Sequence, residues 1–288
     1  MRYLKLSPAV ISIFVMALLI LLLVYFLLSG TGINDRVLSS GQNELQVPAI
    51  EPPDPPAVIL SSALLNSSLP TDIFTGVQWH INNNSGFITE VFNILQEDQY
   101  LWALVDKRHS MSPDYEPHDL VPLESGSYET AKTTMMLRKP AADSLEEMAA
   151  AAKTEGLILL VSSAYRAYLY QAFVYKDNVI RLGQEAADML SARPGTSQHQ
   201  LGLAIDFGSI DDDFAETDEG IWLVKNASRF GWSLSYPYGY EDYTGYQWES
   251  WHYRYVGKQL ASFINTYFNG IQQFALRFFF EYLQETTN

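Results

Sequence analysis

The sequence predicts an α+β fold, a small antiparallel sheet flanked by helices, on three observations. Apolar residues recur at helical spacing in separate stretches, short apolar or alternating runs of strand length fall between them, and the two do not alternate in a regular βαβ repeat. Leu145, Met148, Ala149 and Ala152 form the first clear helical stripe. Ser144-Leu-Glu-Glu147 reads as its capping box and Gly156 as its stop. Leu157-Ile-Leu-Leu-Val161 has the length of a buried strand, Leu169, Phe173 and Val174 predict a further helix, and Pro194-Gly195 predicts a turn. Leu203 and Ile205 alternate with Ala204 and Asp206 at strand spacing. Leu223, Ala227 and Phe230 predict a helix ended by Gly231, and residues 251–256 a strand. Leu260, Phe263, Ile264 and Tyr267, then residues 271–283, predict two closing helices.

Ahead of this region the composition changes twice. Arg2 and Lys5 precede residues 9–28, an uncharged apolar stretch of 20 residues, about the length that spans a bilayer as a helix. That is longer than the apolar part of most cleaved signals. The expectation is a cytoplasmic N-terminus at 1–8, a transmembrane signal anchor at 9–28 and an extracytoplasmic remainder, secreted if the segment is cleaved. The Pro-rich segment around Pro48, Pro52, Pro53, Pro55 and Pro56 reads as a semi-rigid tether. Asn82-Asn83-Asn84-Ser85 reads as a loop. Together these assign 29–86 to tether and linker and 87–288 to the folded domain.

A hydrophobic content of 48% is ample for a core, and 288 residues suit one medium domain with an extension. The formal net charge of -15 argues against nucleic acid as a partner, because phosphate backbones require basic patches. The chain has no cysteine, so a metal site here must use histidine and carboxylate.

Of five histidines, His199 lies seven residues before Asp206, across Gly202. A turn at Gly202 followed by a strand can aim both at one point, although a lone His–Asp pair is more often a hydrogen bond than a metal site. Glu249-Ser-Trp251-His252 adds a second imidazole and a carboxylate free to move a proton, as a hydrolytic zinc site needs. Residues three apart fall on opposite faces of a flat strand, so Glu249 must precede the strand or sit at a bulge to share a site with His252. Trp248 and Trp251 read as core residues. Arg166 reads first as a surface or structural ion pair, with bidentate binding of a carboxylate as the alternative. The acidic stretch 211–219 misses the EF-hand spacing and reads as a solvated loop.

Ser197-x-His199-x-x-Gly202-x-Ala204-x-Asp206 resembles the signature of the VanY-type D-alanyl-D-alanine carboxypeptidases. Tyr165-Arg166 with Gln171, and Glu249-x-Trp251-His252, resemble two further elements of that family. Leu104-Val-Asp-Lys107 with Tyr115-x-Pro117-x-Asp119 resembles its opening segment. The resemblance runs from about Tyr100 to Leu283. It implies a hedgehog/D-Ala-D-Ala-peptidase-like fold and a zinc peptidase of peptidoglycan stem peptides. His199, Asp206 and His252 would bind one Zn2+, with Glu249 as general base and then acid. Arg166 would stabilise the oxyanion, and Gln171 and Ser197, with Arg166, would hold the substrate's terminal residue. An L,D-carboxypeptidase or endopeptidase with the same site, or a non-catalytic wall-binding module, remain alternatives. The Tyr-rich loop 236–246 leaves substrate preference open.

Overall fold

The structure is a computed structural model that describes residues 56–287. The apolar run 9–28 and the Pro-rich tether up to residue 55 lie outside the described residues. The chain opens with helices α1 (Pro56–Asn66), α2 (Thr71–Asn83), α3 (Ser85–Leu95) and the single turn α4 (Gln99–Trp102). Strands β1 (Leu120–Pro122), β2 (Glu129–Thr130) and β3 (Met136–Arg138) come next, then α5 (Lys139–Thr154) and β4 (Leu160–Ser163). Helices α6 (Tyr168–Leu182) and α7 (Gln184–Leu190) lead to a 3-10 turn at Gln198–Leu201 and strand β5 (Ala204–Phe207). After them come α8 (Asp218–Asn226), β6 (Trp232–Leu234), the short α9 (Glu241–Thr244), β7 (His252–Tyr255), α10 (Lys258–Tyr267) and α11 (Gln272–Thr287).

The main sheet has the order β2-β4-β5-β7-β6, and β1 pairs with β3 in a separate ribbon. The β4–β5, β5–β7 and β7–β6 pairs are antiparallel, as expected, whereas the edge pair β2–β4 is parallel. The register decides the chemistry. Asp206 lies opposite His252 across β5–β7 and opposite Ser163 across β4–β5. Residues directly opposite share a face of the sheet, so the two motifs meet on the central strand.

Two apolar clusters hold the domain. One is centred on the sheet and α5, with Leu137, Leu145, Met148, Val161, Leu203, Ile205, Phe207 and Trp232 buried. The other joins α1, α2 and α3 to α10 and α11 through Leu60, Leu64, Val77, Phe87, Phe263, Phe274 and Phe278. Arg254, fully buried on β7, ties the two together. Its Nη2 donates to the carbonyls of Tyr100, Leu101 and Ala103 at 2.8, 3.2 and 2.9 Å.

Four expectations are corrected by this fold. Residues 56–83, expected in the linker, form α1 and α2, which bury an apolar face against the C-terminal helices. Asn84 is a helix cap rather than a loop residue: its Oδ1 accepts the N–H groups of Gly86 at 3.0 Å and Phe87 at 3.4 Å. Ser144 is not a cap, since α5 starts five residues earlier with Pro140 in its first turn. Ser144 is buried and its hydroxyl donates to Phe230 O at 2.5 Å. Helix α6 forms as expected, but Leu169 and Phe173 point outward, 80% and 67% exposed.

Candidate active site

The 3-10 turn Gln198–Leu201 delivers His199 to the sheet. Ser197 caps it, its Oγ accepting the N–H of His199 at 3.3 Å, and Gly202 ends it at φ 68°, a left-handed conformation suited to glycine. A side chain at Gly202 would meet Arg138 and Leu120 at 3.0 Å, so its smallness serves packing against β1 and β3 rather than approach to a metal. Arg138 is itself fixed by Asp119 and Asp98 at 2.7 and 2.6 Å, which makes Asp119 of the opening segment an anchor remote from the chemistry.

His199, Asp206 and His252 are all buried, and their ligand atoms lie within 4.8 Å of one another. Nε2 of His199 is 3.2 Å from Asp206 Oδ2, and Nδ1 of His252 is 2.9 Å from Asp206 Oδ1. The remaining nitrogen of His199, Nδ1, donates to Ala164 O at 2.7 Å, which leaves Nε2 with its lone pair toward Asp206. Glu249 precedes β7 in a turn where the His252 N–H donates to Glu249 O at 3.3 Å. The turn brings Glu249 Oε2 to 3.5 Å from His252 Nδ1, which meets the geometric requirement read from the spacing. Arg166 Nη2 is 3.7 Å from Asp206 Oδ2 and donates to Ser163 Oγ at 3.3 Å. It therefore faces the site: the ion pair first read for it forms, with Asp206 inside the cleft rather than with a partner on the surface.

These groups line one cleft of about 630 Å³, together with Gln171, Ser197, Tyr236, Tyr246, Trp248 and Trp251. Trp251 packs against the sheet core, as expected, while also lining the cleft, and Trp248, likewise expected in the core, is half-buried on the cleft wall. Gln171 is buried beneath it and donates through Nε2 to Ala192 O at 2.6 Å. Tyr236 was not singled out by spacing, yet its ring centroid is 4.9 Å from that of His252. Only its place in the Tyr-rich loop hinted at it. Asp211 and Asp212 reach the cleft rim, but the acidic loop supplies no group of three close ligands among the described residues. His80 and His109 lie elsewhere: the His80 ring stacks near Phe87, and His109 pairs with Asp106 at 2.7 Å.

The electrostatics divide the roles. Burial, then the Arg166 charge, pushes His199 down to about 4, so its imidazole is neutral near pH 7, as a metal ligand must be. Burial raises the Asp206 carboxyl, but the two imidazoles, which pair with it whenever one carries a proton toward it, outweigh burial and set the group well below the usual carboxylate range. Burial, reinforced by the Asp206 charge, pushes Glu249 well above the usual carboxylate range, which suits a group that takes up and returns a proton.

Two imidazole nitrogens and one carboxylate oxygen, without any thiolate, fit a catalytic zinc ion with an open coordination position. Such a donor set, with a free carboxylate and a guanidinium beside it, is that of a mononuclear hydrolytic metal centre. Residues 134–258 match the family described as VanY, D-alanyl-D-alanine carboxypeptidase. The chain is 39% identical over 177 residues to the Bacillus subtilis protein YodJ, covering 59% of this chain and 65% of that protein's length. It is 36% identical to the LdcB LD-carboxypeptidase structure, covering 59% of this chain and 86% of that one with a TM-score of 0.54. It is 29% identical to a variant of the vancomycin-resistance D,D-pentapeptidase VanY, from a VanB-type resistance cassette, solved in complex with Zn(II). That match covers 64% of this chain and 99% of the other, with a TM-score of 0.51. The chain belongs to the VanY-type D-alanyl-D-alanine carboxypeptidase family.

Proposed function

We propose that the protein is a zinc D,D-carboxypeptidase that removes the C-terminal D-alanine from peptidoglycan stem peptides. The carrying observation is the convergence of His199, Asp206 and His252 on one buried point, with Glu249 and Arg166 beside it in the same cleft. His199, Asp206 and His252 would hold the zinc ion, which would supply Lewis acidity to the scissile carbonyl and make the attacking water more acidic. Glu249 takes the proton of the attacking water as its oxygen bonds to the carbonyl carbon. It then returns that proton to the amine nitrogen as the C–N bond breaks. Arg166 points its guanidinium at the site from the β4–α6 junction and stabilises the negative charge that grows on the carbonyl oxygen. Gln171 and Ser197 border the pocket for the departing residue. The apolar run 9–28, with Arg2 and Lys5 before it, supports an anchored enzyme facing the cell wall.

A second reading, L,D-carboxypeptidase activity at the same site, is favoured by the 36% identity to the LdcB LD-carboxypeptidase. Mass spectrometry of products from defined pentapeptide and tetrapeptide stems separates the two. Loss of one alanine from the pentapeptide alone supports D,D activity. Trimming of the tetrapeptide supports the second reading. Untouched peptides with the zinc-loaded protein would leave a wall-binding role and contradict both.

A further inference from the structure

His252 presents its two ring nitrogens to different neighbours. Nδ1 faces Asp206 and Glu249, while Nε2 lies 3.2 Å from Gln198 Oε1. A neutral imidazole binds a cation only through its unprotonated nitrogen, so one proton decides whether this ring can serve the metal centre. A chain of hydrogen bonds leading away from the cleft places that proton.

The chain starts at a backbone oxygen. Ser233 O can only accept, so the Gln272 atom 3.2 Å away is its amide nitrogen. The same nitrogen donates to Ser235 Oγ at 3.3 Å. The carbonyl end of Gln272 therefore meets Gln198 Nε2, at 3.5 Å. Gln198 Oε1 is left for the Ser235 hydroxyl, which donates at 2.7 Å, and for His252 Nε2. Both ring nitrogens face acceptors, the Asp206 carboxylate 2.9 Å from Nδ1 and the Gln198 carbonyl 3.2 Å from Nε2; Gln198 draws the hydrogen to Nε2, which frees the Nδ1 lone pair for a cation beside Asp206. All three polar side chains are at most 2% exposed, so water does not compete for these bonds.

We infer that Gln198, oriented by Ser235 and Gln272, is a positioning residue that holds His252 in the tautomer able to ligate through Nδ1. The inference rests on the metal-centre reading of His199, Asp206 and His252. It also makes the first residue of α11 part of the support of the site, since Gln272 belongs to that helix. Groups that orient a ligating histidine commonly matter for metal binding almost as much as the ligands do.

The test uses the full chain, stripped of metal, with two readouts besides activity. Zinc affinity is measured by competition with a chromophoric chelator, and the His252 tautomer is read from imidazole 15N shifts in the metal-free protein. Gln198→Leu keeps the bulk and removes the acceptor. It is expected to weaken zinc binding roughly 10–100-fold and to move the hydrogen off Nε2. Gln198→Glu, which keeps an acceptor oxygen, is expected to restore both readouts. Should Gln198→Leu fail to fold, Ser235→Ala removes one bond holding Gln198 and is expected to weaken zinc about 2–10-fold, the value of one net hydrogen bond. Unchanged affinity with an unchanged tautomer in either variant would overturn the inference. A wild-type chain that carries the Nε2 hydrogen but takes up no zinc would instead overturn the metal-centre reading and leave the tautomer assignment standing.

Discussion

The sheet region and the helical region of this domain are built on opposite plans. Around β5 and β7 the chain is short-stranded and polar at its centre, with His199, Asp206, His252 and Arg254 buried between small loops. In the layer formed by α1–α3, α10 and α11 the interior is apolar and aromatic, with Phe87, Phe263, Phe268, Phe274, Phe278 and Phe279 all fully buried. Burying the polar centre carries a desolvation cost that the site must recover in function, while the aromatic layer gains free energy for each ring removed from water. The difference teaches that the sheet carries a polar site on top of its own apolar core, whereas the helical layer is apolar throughout; Arg254 and the Gln272 end of α11 join the two.

Removing residues 1–86 breaks this comparison most severely, because it strips α1 and α2 from the helical layer. The expected outcome is loss of the cooperative fold, seen as loss of near-ultraviolet circular dichroism. A truncated chain that folds and turns over normally would return residues 56–83 to the linker. Glu249→Gln follows, with kcat expected to fall about 10²–10⁴-fold, the usual contribution of a general base, while zinc content and melting temperature hold. Leu64→Ala, at a fully buried position on α1, is expected to cost about 2–5 kcal/mol in urea denaturation, with kcat/KM of the folded protein little changed. A drop in activity without a drop in stability would show that the two regions are more tightly coupled than their separate cores imply. The smallest effect is expected from Leu169→Ser on the outward face of α6, within about 0.5 kcal/mol of wild type. A larger loss would mean that this apolar face is covered in solution.

Much of the active site was legible in the sequence because its parts sit in short, rigidly spaced segments. His199 and Asp206 lie on one turn and the strand that follows it, and Glu249 with His252 on one turn and the start of the next strand. Spacing along a chain constrains such local geometry. The partners across the fold were not legible. Gln198, Ser235 and Gln272 come from three distant segments, and no pattern distinguishes them from other polar residues. The same limit hid α1 and α2. Leu60 and Leu64 are ordinary helix residues until they are seen packed in one core with Phe278 and Phe279, more than two hundred positions away. The proline-rich stretch before them drew them into the linker, and Asn84 resembled a loop residue because asparagine serves both turns and helix caps. The outward stripe of α6 reversed the usual inference from apolar spacing to burial, since the opposite face of that helix borders the cleft through Tyr170, Val174 and Asn178.

The most direct measurement is the anomalous X-ray signal at the zinc edge from crystals of the zinc-loaded protein. It is predicted to give a single strong peak about 2.0–2.2 Å from His199 Nε2, one Asp206 oxygen and His252 Nδ1, with Glu249 close by but not bound. A peak elsewhere, or none between those three side chains, would contradict the account.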